Sequence, residues 1–146
     1  MGKWYDEPAG AFVTLRKHQE LRGCIGDISF DVALGSVVGR ATEAAATNDP
    51  RFSPVTRDEV PDICIEISCL TPFTAAEPGD IIVGRHGIVI RKGKRSGLLL
   101  PQVAAEFGCD ATGFLELSYR KAGIRFRGHH DPTVTLEIFE AEVFEE

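Results

Sequence analysis

The most regular stretch of this chain is Ile63-Cys64-Ile65-Glu66-Ile67-Ser68-Cys69-Leu70, in which apolar and more polar side chains alternate. Successive side chains of a β-strand point to opposite faces, so positions 63, 65, 67 and 69 share one face. The stretch is therefore predicted to be a strand with one buried face. Cys64 and Cys69 fall on opposite faces of this strand, so they are not expected to chelate a metal together.

Two shorter extended runs precede this strand, and a polar segment separates them. They are Ala11-Phe12-Val13-Thr14-Leu15 and Leu21-Arg22-Gly23-Cys24-Ile25-Gly26, and together they predict a β-hairpin. A three-residue loop at positions 17–19 would pair Leu15 with Leu21, whereas a four-residue loop would shift the pairing by one residue.

The length of that loop decides where the cysteine of the hairpin points. The three-residue loop directs Arg22 and Cys24 away from the core, and the four-residue loop places Cys24 opposite Val13 in apolar surroundings. We favour the three-residue loop, with Gln19 in the left-handed conformation that such a loop requires.

The rest of the chain alternates between predicted helices and strands. A stripe of apolar residues at helical spacing predicts a helix from Asp31 to Asn48, and a capping-box pattern at Thr56 predicts a short helical turn. The later predicted elements are strands at 81–83 and 86–91, helices at 101–107 and from Asp110 to a stop at Gly123, and a last strand through 134–143 with an irregularity at Ile138-Phe139. This order predicts an α+β fold with a mainly antiparallel sheet and flanking helices.

Length and charge limit the class of protein. The 146 residues include 22 acidic and 16 basic residues, which gives a net charge of −6. We expect one domain over residues 1–146, a cytoplasmic location without a secretory signal, and four reduced cysteines. Nucleic-acid binding and membrane insertion are not expected, because basic residues are in deficit and no apolar run is long enough.

The hairpin motif Leu21-Arg22-Gly23-Cys24-Ile25-Gly26 resembles the AMMECR domain family. Similar stretches follow the same order along the chain, at 10–15, 49–52, 65–68 with 70–72, 84–87 and 96–104. The resemblance implies an α+β fold with a larger and a smaller subdomain and a cleft between them, and it brings no settled activity. It also implies a shared pathway with Memo-like and radical-SAM proteins. Members of the family usually carry a helical segment before the first strand, and that segment is expected to be missing here.

The cysteine motif is the main candidate site. If Arg22 and Cys24 share a face, the guanidinium favours the thiolate, and Cys24 is a candidate nucleophile or redox-active thiol. Alternatively, Arg22 forms a binding site for a carboxylate or phosphate, and Gly23 and Gly26 let the ligand approach the main chain closely. A packed, inert cysteine is the third interpretation.

Several polar residues outside the hairpin are further candidates. His86 is a candidate base for Cys24, although a turn histidine bonded to backbone explains it as well. Candidate ligand-binding residues are Asp49, Arg51, Arg85, Ser96 and Gln102, each with a structural alternative as a salt bridge, a cap or a solvated side chain. His129-His130-Asp131 is predicted to be a surface loop, so no metal and no other cofactor is expected.

Two functions remain open at this stage. The first is an enzyme or enzyme component whose Cys24 and Arg22 line a cleft for a small anionic substrate. The second is a non-catalytic binding or scaffold module that recognises a protein partner or a small anion through the same cleft. The residues do not decide between these functions, and they predict no oligomeric state.

Overall fold

The chain forms two compact units, each with its own sheet and helices. In this computed structural model, which describes residues 6–145, unit 1 holds the chain up to Pro72 together with the end of the chain from Glu142, and unit 2 is Phe73–Ala141. Each unit contains one four-stranded antiparallel sheet, so the predicted α+β class is confirmed. Within residues 6–145 no helix is both long and apolar enough to cross a membrane.

Unit 1 is built on one four-stranded sheet. In chain order its elements are β1 (Gly10–Lys17), β2 (Glu20–Asp27), α1 (Leu34–Thr47), a 3-10 helix (Arg57–Asp62), β3 (Ile63–Leu70) and β8 (Ala141–Glu145). The strand order in the sheet is β2-β1-β3-β8. One face of the sheet carries the apolar residues Val13, Leu15 and Ile65, which pack against Ala41 and Ala45 of helix α1. The predicted strand at 63–70 and its apolar face are confirmed.

Unit 2 has a four-stranded sheet and a core in which Phe114, Tyr119 and Ile88 are fully buried. Its elements are β4 (Thr74–Ala75), a 3-10 turn (Pro78–Asp80), β5 (Gly87–Lys92), β6 (Arg95–Leu99), α2 (Pro101–Glu106), α3 (Ala111–Ala122) and β7 (Thr135–Phe139). The strand order in the sheet is β4-β7-β5-β6. Helix α3 begins where the Asp110 side chain accepts the N–H of Gly113, and it ends at Gly123 in the left-handed conformation, as predicted.

The register of the β1–β2 hairpin differs from the predicted one. The turn has two residues, His18 and Gln19, both at positive φ (50° and 69°), and a bulge follows because Leu15 pairs with Gly23 while Arg16 pairs with Leu21. The predicted pair of Leu15 with Leu21 is therefore wrong. A two-residue turn plus one bulged residue keeps the parity of a three-residue loop, so Cys24 still lies on the face that was predicted.

Two later strand predictions are wrong. Residues 81–83 lie outside the strands and lead into a turn at 83–85, in which the carbonyl of Ile82 accepts the N–H groups of Arg85 and His86. The last predicted strand is two strands, β7 and β8, which belong to different sheets. The run of two apolar residues at Ile138-Phe139 thus lies at the end of one strand, just before the chain passes to the other sheet.

Candidate functional site

The bulge in β2 determines where Arg22 points. Arg22 is the extra residue of β2 at the bulge, and a bulge turns its side chain out of the regular alternation. The guanidinium meets Glu59 of the 3-10 helix, donating from Nε to Oε1 (2.9 Å) and from Nη2 to Oε2 (3.2 Å). It also donates to the carbonyls of Ser53 (2.8 Å) and Pro54 (3.3 Å).

This network holds Arg22 in a structural role within unit 1. Only 14% of the Arg22 side chain is exposed, and four hydrogen bonds occupy its guanidinium. The pKa of Glu59 lies far below its usual range, first because of Arg22, then because of the N–H of Thr56 and the ammonium of Lys17. The charge of Arg22 is therefore compensated inside the protein.

A loop after helix α1 binds both main-chain polar groups of Cys24. We call residues 48–56, between α1 and the 3-10 helix, the Asp49 loop. The Cys24 N–H donates to Oδ2 of Asp49 (2.9 Å), and Nη2 of Arg51 donates to the Cys24 carbonyl (3.4 Å). Asp49 and Arg51 also bind each other, from Nε to Oδ1 (3.0 Å) and from Nη2 to Oδ2 (2.8 Å). The position of Cys24 is thus fixed by a bidentate ion pair.

The electrostatics of the Asp49 loop follow from this pair. Asp49 is buried, and Arg51, followed by the N–H of Cys24, lowers its pKa far below the usual range. The pKa of Arg51 is raised, chiefly by Asp49 and to the smallest extent by the Cys24 thiol. Arg51 therefore places a cation beside the main chain of Cys24, and 55% of the Arg51 side chain is exposed.

The thiol of Cys24 lies beside a hydroxyl group. Its Sγ is 3.3 Å from Oγ1 of Thr14, the residue directly opposite on β1, and either atom can donate. Cys24 is a free, half-buried cysteine, and the exposed Cys64 is a free thiol on β3. The Cys24 side chain is thus accessible in part and has one polar neighbour at hydrogen-bond distance.

Other atoms of the protein occupy the space beside Gly23 and Gly26, the two glycines of the motif. A Cβ at Gly23 would lie 2.2 Å from the carbonyl oxygen of Ala45 in α1, and one at Gly26 would lie 2.4 Å from the ring of Phe12. Gly23 therefore permits contact between strand and helix, and Gly26 permits a ring to lie over the strand. The space for which the sequence suggested a ligand is filled in both places.

The remaining predicted site residues belong to unit 2. Nδ1 of His86 accepts the N–H of Ile82 (3.0 Å), which makes it the turn histidine of the structural alternative. Arg85 donates from Nε to Glu140 (2.6 Å). Ser96 lies on β6 and is exposed, and Gln102 lies half-buried in the short helix α2.

Sequence reasoning missed Glu59 as the partner of Arg22, and it did not place Thr14 opposite Cys24. Both are polar residues in elements that were predicted, but their pairing with β2 depends on the register and on the Asp49 loop. The described residues 6–145 contain no group of three or more histidine, cysteine or acidic side chains placed to hold a metal ion.

The fold and this site define a class: an α+β protein of two compact units in which an Asp–Arg pair clamps a free cysteine on the edge strand of one sheet. The AMMECR1 family model matches residues 1–144, so the chain belongs to the AMMECR1 family.

Relatives from archaea agree with this assignment. A protein from Methanopyrus kandleri is 46% identical over 96% of this chain and 72% of its own length, and one from Methanothermobacter thermautotrophicus is 42% identical over 94% and 75%. The crystal structure of an uncharacterized protein from Pyrococcus horikoshii matches with a TM-score of 0.90 at 37% identity, covering 100% of this chain and 77% of that one. These matches establish the family and the fold. They assign no activity, so the activity is inferred from the geometry of the site.

Proposed function

We propose that this AMMECR1-family protein is an enzyme or enzyme component that acts on a small anionic substrate through the thiol of Cys24. Arg51, rather than Arg22, supplies the positive charge. The observation that carries the proposal is the clamp on Cys24: Asp49 and Arg51 bind its N–H and its carbonyl, respectively.

The clamp fixes the main chain of Cys24 next to a cation. A nucleophilic cysteine needs a positive neighbour and partial exposure, and a packed structural cysteine needs neither. Arg51 supplies the positive neighbour because its guanidinium binds the Cys24 carbonyl, and Cys24 itself is only half-buried. A guanidinium also matches the geometry of a carboxylate or phosphate, which explains the choice of an anionic substrate.

Two alkylating reagents of nearly equal size test this function. Iodoacetate carries a carboxylate and iodoacetamide is neutral, so the ratio of their rates at Cys24 measures the positive field at the thiol. We expect Arg51→Gln to lower this ratio about fivefold, because a unit charge at about 4 Å contributes about 1 kcal/mol in water. Arg51→Lys should retain most of the ratio. The rates are read at each cysteine by peptide mass spectrometry.

Arg57→Gln is the matched control, since Arg57 is an exposed cation in the 3-10 helix of the same unit. It should leave the ratio at Cys24 unchanged, and the exposed Cys64 reports any general change in reactivity. A ratio at Cys24 that does not respond to Arg51→Gln would overturn the proposal.

A non-catalytic binding module is the second candidate, and one observation favours it. The histidine of unit 1 is His18, whose side chain is 73% exposed at the hairpin turn and lies 4.0 Å from Asp62. Cys24 thus has no imidazole base from its own unit. If Cys24→Ser keeps full cellular function while Arg51→Gln loses it, binding is the function; loss of function in both variants supports the enzyme, which needs the thiol and the charge together.

A further inference from the structure

The clamp on Cys24 also determines how close this residue lies to the neighbouring strand β1. In an antiparallel pair, opposite residues either exchange main-chain hydrogen bonds or turn those groups outward, and their side chains are closer in the second kind of pair. Cys24 directs its N–H to Asp49 and its carbonyl to Arg51, so both groups face away from β1. Cys24 and Thr14, which lie directly opposite each other, therefore form a close pair.

The sulfur of Cys24 determines the direction of the Thr14 hydroxyl. Oγ1 of Thr14 lies 3.3 Å from Sγ of Cys24, and within residues 6–145 the sulfur is the one hydrogen-bond partner of this hydroxyl. Thr14 is buried, and a buried donor without an acceptor loses the hydrogen bond that water would give it. The O–H group therefore points at the sulfur. A thiolate has no proton to donate, so in that state Thr14 is necessarily the donor.

A donor fixed beside the sulfur favours the ionised form of the thiol. A hydrogen bond made to the charged form of a group favours that form, and a bond with one ionised partner is about twice as strong as a neutral one. Thr14 is β-branched, and its strand β1 pairs with β2 on one side and with β3 on the other. The hydroxyl is therefore in place before the thiol loses its proton.

We infer that Thr14 is a catalytic residue of the proposed reaction, and that its hydroxyl donates a hydrogen bond to the Cys24 thiolate. The S–H bond breaks with its electron pair left on the sulfur, the proton goes to solvent water, and Thr14 keeps its own proton. The assignment rests on the proposed function, in which Cys24 reacts as a thiolate. It adds a group that touches the reacting sulfur, whereas Asp49 and Arg51 bind the main chain of Cys24.

The elements packed around this pair also carry charged groups. These groups come from β1, β2, β3, the Asp49 loop and the 3-10 helix, and they are Arg16, Arg22, Glu66, Asp49, Arg51 and Glu59. Each lies 2.8–3.9 Å from a group of opposite charge. Helix α1 contacts the other face of the sheet with apolar side chains. Within residues 6–145, Thr14 has the side chain at hydrogen-bond distance from the sulfur, so we assign the effect of direct contact to its hydroxyl.

The test is the pH profile of Cys24 alkylation by iodoacetamide, read by peptide mass spectrometry on the full chain. Thr14→Val replaces the hydroxyl by a methyl group, so the thiolate forms less readily, and Cys24 should react about threefold more slowly at about pH 6.5. A thiolate that forms less readily is also the stronger nucleophile, so the same variant should react about twofold faster at about pH 10. Thr14→Ser keeps the hydroxyl and should keep the parent profile.

The crossing of the two profiles separates this role from a structural one. A change in packing or access would alter the rate in one direction at every pH, and that result would overturn the inference, as would a Thr14→Val profile equal to that of the parent. Ser68→Ala is the matched control, because it removes another buried hydroxyl, opposite Phe12 on β1, and it should leave the profile unchanged. If Thr14→Val does not fold, Thr14→Ala, which adds no bulk, is measured in the same way.

Failure of this inference can be distinguished from failure of the proposed function. If Arg51→Gln lowers the ratio of iodoacetate to iodoacetamide rates at Cys24 but Thr14→Val keeps the parent profile, the role of Thr14 is wrong and the proposed function stands. If the profiles cross but the ratio does not respond to Arg51→Gln, Thr14 stabilises the thiolate and the anionic substrate is wrong. If Cys24 stays unmodified at about pH 10, both are wrong.

Discussion

Asp49 shows how a single buried carboxylate organises the site. It accepts hydrogen bonds from the N–H of Cys24 (2.9 Å) and the N–H of Arg51 (3.0 Å), and it receives the Arg51 guanidinium on both oxygens. Every donor around it is an N–H group. Only an ionised carboxylate, which accepts on both oxygens and donates nothing, satisfies such a set.

Asp49→Asn is therefore expected to destabilise the protein although it preserves the shape of the side chain. The amide would direct its own N–H group at another donor, and a buried unsatisfied group costs about 1–3 kcal/mol. Urea unfolding at neutral pH measures the change in the free energy of unfolding. Asp58→Asn, at an exposed position of the 3-10 helix, is the control and should change it by less than about 0.5 kcal/mol. A stability of Asp49→Asn equal to that of the control would refute the clamp.

The residue types of the site could be named from the sequence, but their partners could not. Cys24, Asp49 and Arg51 were all predicted candidates, and the structure brings them together. Arg22 was expected beside the thiol, but the bulge and the carbonyls of Ser53 and Pro54 direct it to Glu59. Those contacts join residues more than 25 positions apart, and a local pattern of residues carries no information about them.

At the scale of elements, the sequence predicts those features that depend on a few neighbouring residues, such as the ends of a helix. The cap at Asp110 and the left-handed stop at Gly123 are properties of a few neighbouring residues, so both ends of α3 were predicted. The hairpin register depends instead on a bulge, and the division between β7 and β8 depends on which sheet each strand joins. Apolar alternation alone does not distinguish one long strand from two.

The contact between β2 and α1 gives a prediction at this scale. In Gly23→Ala the new Cβ would meet the main-chain carbonyl oxygen of Ala45 at 2.2 Å, so the strand or the helix would have to shift. We expect a loss of about 1–3 kcal/mol in the free energy of unfolding, as for other overpacked sites.

Gly39→Ala is the matched control, because it adds the same methyl group inside α1 where no atom lies within 4 Å. Alanine is a better helix former than glycine by about 1 kcal/mol, so this variant should be more stable than the parent. Urea unfolding of both variants measures whether the free energy of unfolding falls in Gly23→Ala and rises in Gly39→Ala. A neutral Gly23→Ala would mean that α1 and β2 are not in contact there.

At the scale of the whole molecule, carboxylates with a lowered pKa are concentrated in unit 1. Asp49 and Glu59 have the most strongly lowered pKa values, and hydrogen bonds from Ser29 lower the pKa of Asp27. In unit 2 the described carboxylate with a lowered pKa is Asp131, which is bonded to Thr133. Acid should therefore act unequally on the two units.

The sign of the effect follows from the direction of these shifts. A carboxylate whose pKa is lower in the folded state stabilises the fold above its unfolded pKa, here 3.8 for Asp49 and 4.5 for Glu59, and loses that contribution as the pH falls toward the folded value. We expect β1 and β2 of unit 1 to lose amide-exchange protection before β5 and β6 of unit 2 when the pH is lowered from about 6 to about 3. Hydrogen exchange by mass spectrometry, corrected for intrinsic rates, gives this order.

Glu59→Gln should weaken the pH dependence of unit 1, whereas Glu137→Gln in unit 2 should leave it unchanged. Simultaneous loss in both units, or earlier loss in unit 2, would show that the Asp49 and Glu59 networks do not control acid stability.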